Sequence, residues 1–182
     1  MARPAPSLKA RALRWLAQRE QSRVELRRKL LPCALAEDAA VAADKDADLG
    51  SAHTAVPPAE RVEAVLDWLE AHQYLSQQRF VESRVHARSA RFGNLRIRQE
   101  LKQHQVELAP EAARALRDTE LQRARAVRER KFDSWPANAT ERARQARFLA
   151  GRGFSPEVIG RVLRAPPASD DDDAESDGDR AA

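Results

Sequence analysis

Ten basic side chains carry the most informative spacing in this 182-residue sequence. Arg84, Arg88 and Arg91 stand at i, i+4 and i+7, a single stripe on a helix. Arg96, Arg98 and Lys102 follow. Arg123, Arg125, Arg128 and Arg130 form a third group, which Lys131 extends. Guanidinium forks and ammonium groups at such spacings bind phosphates and carboxylates. The expected ligand is therefore a nucleic acid or an acidic protein groove. A platform for stacking single-strand bases would also need successive aromatic faces, and the central cluster offers Phe92 alone.

Catalytic readings fare worse. His53, His72, His86 and His104 do not combine with the single cysteine, Cys33, into a metal-ligand pattern. Gly151 and Gly153 lack the rest of a phosphate loop and read as a helix stop. Ser22 and Ser155 read as helix caps, with nothing adjacent in sequence to activate either as a nucleophile. No carboxylate stands in an apolar setting that would tune it as an acid. The expectation is a protein that is not an enzyme and takes no cofactor and no metal.

Composition constrains the elements that position the basic groups. Apolar residues make up 42% of the chain and charged residues 33%, but aromatics only 5%. Ala, Leu, Arg, Glu and Gln dominate and glycines number 6, so summed propensity favours an all-helical protein with thin apolar layers. One cysteine permits no intrachain disulfide, and no run approaches the roughly 18 apolar residues that span a bilayer. With no greasy leader in the first twenty residues, the expected location is the cytoplasm, away from any membrane.

The net charge of +4 conceals a segregation. Residues 169–182 hold seven acids and one arginine, a net of −6, which leaves the rest at +10. Residues 34–58 add five acids and one lysine in an Ala/Asp-rich stretch without an apolar stripe. Both this stretch and residues 166–182 are expected to be disordered, the first as a linker and the second as an acidic tail.

Between them, caps and apolar periodicity predict nine helices. Ser7 caps the first, with Leu8, Ala12, Trp15 and Leu16 near one face. Ser22 caps a short second helix ending before Pro32, with Glu25 completing a capping box. Pro58 opens a third, carrying Val62, Val65, Leu66 and Leu69. Ser76 caps a fourth, with Phe80, Val81 and Val85. Gly93 and Asn94 lead into a fifth bearing Ile97 and Leu101, and Pro110 starts a sixth. Three more cover residues 119–132, 140–152 and 155–163.

The nine fall into three groups of three, and the chain repeats itself. Residues 14–30 align without gaps on residues 147–163, with identities that include Leu16/Leu149, Arg19/Arg152, Ser22/Ser155 and Leu30/Leu163. The middle of the chain offers the same unit more loosely, from Val85 and Arg88 through Gly93 to Ile97 and Leu101. Arg19, Arg88 and Arg152 recur at the end of the unit's helix, where they are expected to cap carbonyls. Stacking three such units predicts one continuous core. Residues 1–33 and 59–75 are assigned to the first repeat, 76–118 to the second and 119–165 to the third.

Three blocks resemble the bacterial regulatory RecX family. In ALRWLAQREQSRVELRRKL the residues Ser22, Glu25, Leu26, Lys29 and Leu30 fall on the family's opening pattern. In YLSQQRFVESRVHARSARFGNLRIRQELKQHQV, Tyr74, Leu75, Arg79, Phe80, Gly93, Arg96, Ile97, Glu100, Leu101 and Val106 match the central block. RKF at 130–132 and RFLAGRGF at 147–154 resemble the C-terminal block. Gln105 departs from it, standing where the family has glycine.

The resemblance implies three tandem three-helix repeats in an elongated, curved body. It also implies binding to the RecA recombinase filament, with inhibition of its ATPase, strand-exchange and co-protease activities in DNA repair and the SOS response. The ten basic residues are then the candidate contacts to filament or DNA, and the chain is expected to act as a monomer. The alternative is a helical protein that binds single- or double-stranded DNA directly, through helix-turn-helix-like pairs such as residues 7–30.

Overall fold

The computed structural model describes residues 6–45 and 56–164. These residues form nine helices and no strand. The first three are α1 (Leu8–Leu16), α2 (Arg23–Lys45) and α3 (Pro58–Ala71). The middle three are α4 (Gln77–Ser89), α5 (Asn94–Gln103) and α6 (Pro110–Asp118). The last three are α7 (Glu120–Glu129), α8 (Ala139–Gly151) and α9 (Pro156–Val162). The fold is all-α and made of tandem helical repeats.

Local chemistry accounts for most helix starts. The hydroxyl of Ser7 accepts from the Ala10 amide at 3.2 Å, Ser22 from Glu25 at 3.1 Å, Ser76 from Arg79 at 3.3 Å and Ser155 from Val158 at 3.3 Å. Each satisfies a donor that the first turn would otherwise leave bare. The other half of the expected capping box is absent, because the Glu25 carboxylate turns to Arg19 and Lys29. Asn138, not a residue further on, caps α8 by accepting from Glu141 at 2.9 Å.

The helix stop expected at Pro32 is corrected. α2 runs straight through it to Lys45, and residues 34–45, assigned above to a linker, are helical. An interior proline forfeits a ladder bond and costs about 3 kcal/mol. Tertiary contacts offset that loss. Ala34 is fully buried against α3, and Arg61 reaches across to the Ala34 carbonyl at 2.9 Å and the Asp38 carboxylate at 2.5 Å. The remainder of the expected linker up to residue 55, and the acidic tail, lie outside the described residues.

Burial follows the repeats, with one difference from expectation. Leu8, Ala12, Leu26, Leu30, Ala34, Val62, Leu66, Leu69 and Leu75 make one cluster. Phe80, Val81, Ile97, Leu101, Val106 and Leu116 make a second. Ala124, Val127, Leu149, Phe154, Val158, Ile159, Val162 and Leu163 make a third. The core is thus three clusters rather than one continuous layer. Each triplet closes on its own apolar face, and polar groups and glycine backbone fill the seams. Trp15 and Trp68 pack against the first cluster and Phe148 against the third, as their positions on apolar helix faces predict.

Candidate basic interface

The ten candidate residues do not share one face. Arg84 and Arg88, one turn apart on α4, both fold onto Glu100 of α5, at 3.3 and 3.0 Å. Their stripe is largely an internal clasp. Arg91, beyond the end of α4, points elsewhere and is exposed. Arg96 is exposed, with its guanidinium 4.5 Å from the Phe92 ring centre and 3.4 Å from the Gly151 carbonyl. Arg98 and Lys102 are exposed beside a groove floored by Leu101, Val106 and Leu108.

The third group divides most sharply. Arg123 spends its guanidinium inside, donating to the carbonyls of Ser89 (3.2 Å), Phe92 (2.8 Å) and Leu116 (2.9 Å) and to Asn94 Oδ1 at 2.6 Å. Burial lowers its pKa, against the opposing charge of Glu120. Arg128 is 3% exposed; it donates to Gln145 Oε1 at 2.9 Å and to the Ser134 carbonyl, and lies 4.1 Å over the Trp135 ring. Neither can offer its charge to an outside ligand. Arg125 is exposed. Arg130 is exposed but oriented, donating to the carbonyls of Ala126 (3.1 Å) and Ala90 (2.6 Å). Of the ten, six are exposed and make no ion pair among the described residues; Arg96 and Arg130 are tethered to carbonyls, whereas Arg91, Arg98, Lys102 and Arg125 make no side-chain hydrogen bond there either.

The helix-end arginines also part company. Arg19 donates to the Glu20 carbonyl at 3.2 Å and forks onto Glu25, which is 7% exposed. Burial alone would raise Glu25, but hydrogen bonds and charge from Arg19 and Lys29 outweigh it and hold the carboxyl below its ordinary range. Arg88 pairs with Glu100. Arg152 has no carboxylate partner among the described residues. Its guanidinium sits between the rings of Phe148, at 5.2 Å, and Phe92, at 5.7 Å. The expected capping of helix-end carbonyls is not what these arginines do among the described residues: the one carbonyl that Arg19 reaches, Glu20, lies in the turn beyond α1.

Residues between the repeats were invisible to spacing arguments. Glu120, 5% exposed at the start of α7, accepts from both the backbone and side-chain amides of Asn94, at 2.9 and 2.8 Å. It caps α5 from another repeat, where Gly93 has no side chain to do so. Gly93 donates to the Arg152 carbonyl and Leu95 to the Gly153 carbonyl, each at 3.0 Å. A methyl group on Gly93 would land inside the Gly153 backbone.

Comparison with known proteins places this architecture. Residues 76–108 match the family description "RecX, second three-helix domain", and residues 118–163 match "RecX, third three-helix domain". The chain is 47% identical over 173 residues to Regulatory protein RecX of Leptothrix cholodnii, covering 94% of this chain and 96% of that one. The chain belongs to the RecX family. Regulatory protein RecX of Ralstonia pickettii is 45% identical over 159 residues, covering 86% of each chain. That of Neisseria gonorrhoeae is 33% identical over 165 residues, covering 89% of this chain and 92% of that one. The two RecX domain matches coincide with α4–α5 and α7–α9, the repeats that Gly93 and Glu120 tie together. No helix of the described residues is long and apolar enough to cross a membrane.

Proposed function

We propose that this chain is a non-enzymatic, cytoplasmic regulator that binds the RecA recombinase filament and mainly inhibits its ATPase, strand-exchange and co-protease activities. Membership of a regulatory family is the observation that carries the reading. The exposed, unpaired cations Arg91, Arg98, Lys102 and Arg125 support it as contacts to acidic protein or filament DNA. Three repeats in tandem suit a partner that is itself a repeating assembly. Each repeat meets one protomer, and modest contacts sum through effective concentration. A monomer suffices, since each repeat buries its own apolar face.

The test is hydrolysis of ATP by the recombinase on single-stranded DNA while this protein is titrated in. Loss of hydrolysis well below one molecule per recombinase protomer is the expected result. Hydrolysis that persists until the protein covers the DNA stoichiometrically would replace this reading with direct nucleic-acid binding.

A further inference from the structure

Where the middle and last repeats meet, the ends of α4, α7 and α8 surround a shallow cavity of about 190 Å³. Arg91, Arg130, Lys131 and Arg152 line it over a floor of Val127 and Phe148, and no acidic residue does. The bland explanation is that these cations neutralise helix ends, since Ala90, Arg130 and Arg152 are the C-caps of the three helices. Magnitudes decide against it as the whole account. Each helix C-terminus carries roughly −0.5 of a charge. Three amount to about −1.5 against four full positive charges, which leaves an uncompensated surplus of about +2.5.

The cavity is also prepared for a particular geometry. Arg130 is held by two carbonyls, which leaves one guanidinium nitrogen free. Arg152 is fixed between two rings. Its repeat counterparts Arg19 and Arg88 each face a carboxylate, so the position favours an anion and here the chain supplies none among the described residues.

We infer that this cavity is a phosphate site that grips one backbone phosphate of a nucleic-acid strand. At about 190 Å³ it is smaller than the roughly 300 Å³ at which small-molecule pockets begin, so it does not enclose a nucleotide and suits a single anionic group. Base stacking is unavailable as well. Phe92 is covered by the guanidiniums of Arg88, Arg96 and Arg152, and Phe148 by Arg152 and the edge of Phe132. What remains is sequence-independent recognition of a phosphodiester. The inference does not depend on the recombinase reading, because it is tested with no recombinase present.

The experiment measures binding of a labelled twelve-nucleotide single-stranded DNA across a salt series. The full-length chain is compared with Arg91→Gln/Lys131→Gln, whose side chains are exposed and make no hydrogen bond among the described residues. Arg114→Gln/Arg117→Gln on α6, also exposed, removes the same charge elsewhere. The cavity variant is expected to lose about tenfold in affinity, and its slope of log affinity against log salt to flatten by about 0.7, one phosphate contact on a single strand. The α6 variant keeps the wild-type slope. Equal losses in both variants would reduce the cavity to part of a diffuse cationic field and overturn the assignment. An unchanged slope in the cavity variant overturns it too. Replacing the DNA by a peptide of residues 169–179 closes the remaining route. If only the peptide distinguishes the variants, the cavity takes acidic protein and the inference fails.

Discussion

The two seams between repeats use the same position in the repeat in opposite ways. At the seam between the first and middle repeats stands Ser22, whose hydroxyl lies 2.9 Å from His104 Nδ1 of the middle repeat. Arg79 to Glu20, at 2.8 Å, is the companion contact. At the seam between the middle and last repeats the corresponding residue is Gly93, which contributes by having no side chain. Its backbone meets the Gly153 turn directly, and Glu120, with buried hydrogen bonds, and Arg123, with half-buried ones, fill the space around it. A seam of side chains can be retuned by solvent and charge. A seam of backbone is either closed or broken.

The sharpest way to break that contrast is Gly93→Ala. The added carbon has no flexible neighbour to displace, only the Gly153 and Phe154 backbone. A loss of about 3 kcal/mol is expected in denaturant unfolding, together with faster amide exchange at Leu95. If the seam tolerates alanine with less than about 1 kcal/mol lost, it is not backbone-locked.

A smaller effect, of opposite sign, tests whether the first seam lacks the glycine solution. Gln105 occupies the left-handed region at φ 56, one residue beyond the cap of α5, where Gly153 stands at φ 82 beyond α8. Glycine suits that conformation and glutamine does not. Gln105→Gly is expected to stabilise the chain by about 1 kcal/mol, read as a rise in melting temperature. A fall would show that the glutamine side chain holds the seam.

The smallest effect is the one that marks the first seam as tunable. Burial, then the charge of Arg84 and of Arg28, hold His104 below its ordinary value of 6.5, while Glu25 and Glu100 pull the other way. The unfolded chain therefore binds the proton more readily. Stability from this group is present above pH 6.5 and is lost as pH falls below it toward the folded value. Melting curves in that window should show stability rising with pH, and His104→Gln should flatten the rise. A dependence that survives the substitution would assign it to another group.

What the sequence made legible follows from how far each signal reaches. Serine caps at Ser7, Ser22, Ser76 and Ser155 were readable because donor and acceptor lie three residues apart. The glycine at 153 was readable as a stop because a left-handed residue after a helix is a local demand. Arg123 and Arg128 were indistinguishable from Arg125 and Arg130, since their partners lie up to 34 residues away on other elements. Glu120 gave no sign at all, because its partner Asn94 precedes it by 26 residues. At Pro32 the local rule was sound but lost to Arg61 and to the packing of Ala34.

Three separate apolar clusters also bear on how such a chain can change over generations. Damage inside one cluster does not open a void in the next, so harmful substitutions in different repeats should combine additively. A lineage can therefore reshape one repeat toward a new neighbour while the others keep their old shape. The exceptions are Gly93 and Gly153. Each leaves room for the other's repeat, so neither is free to drift alone.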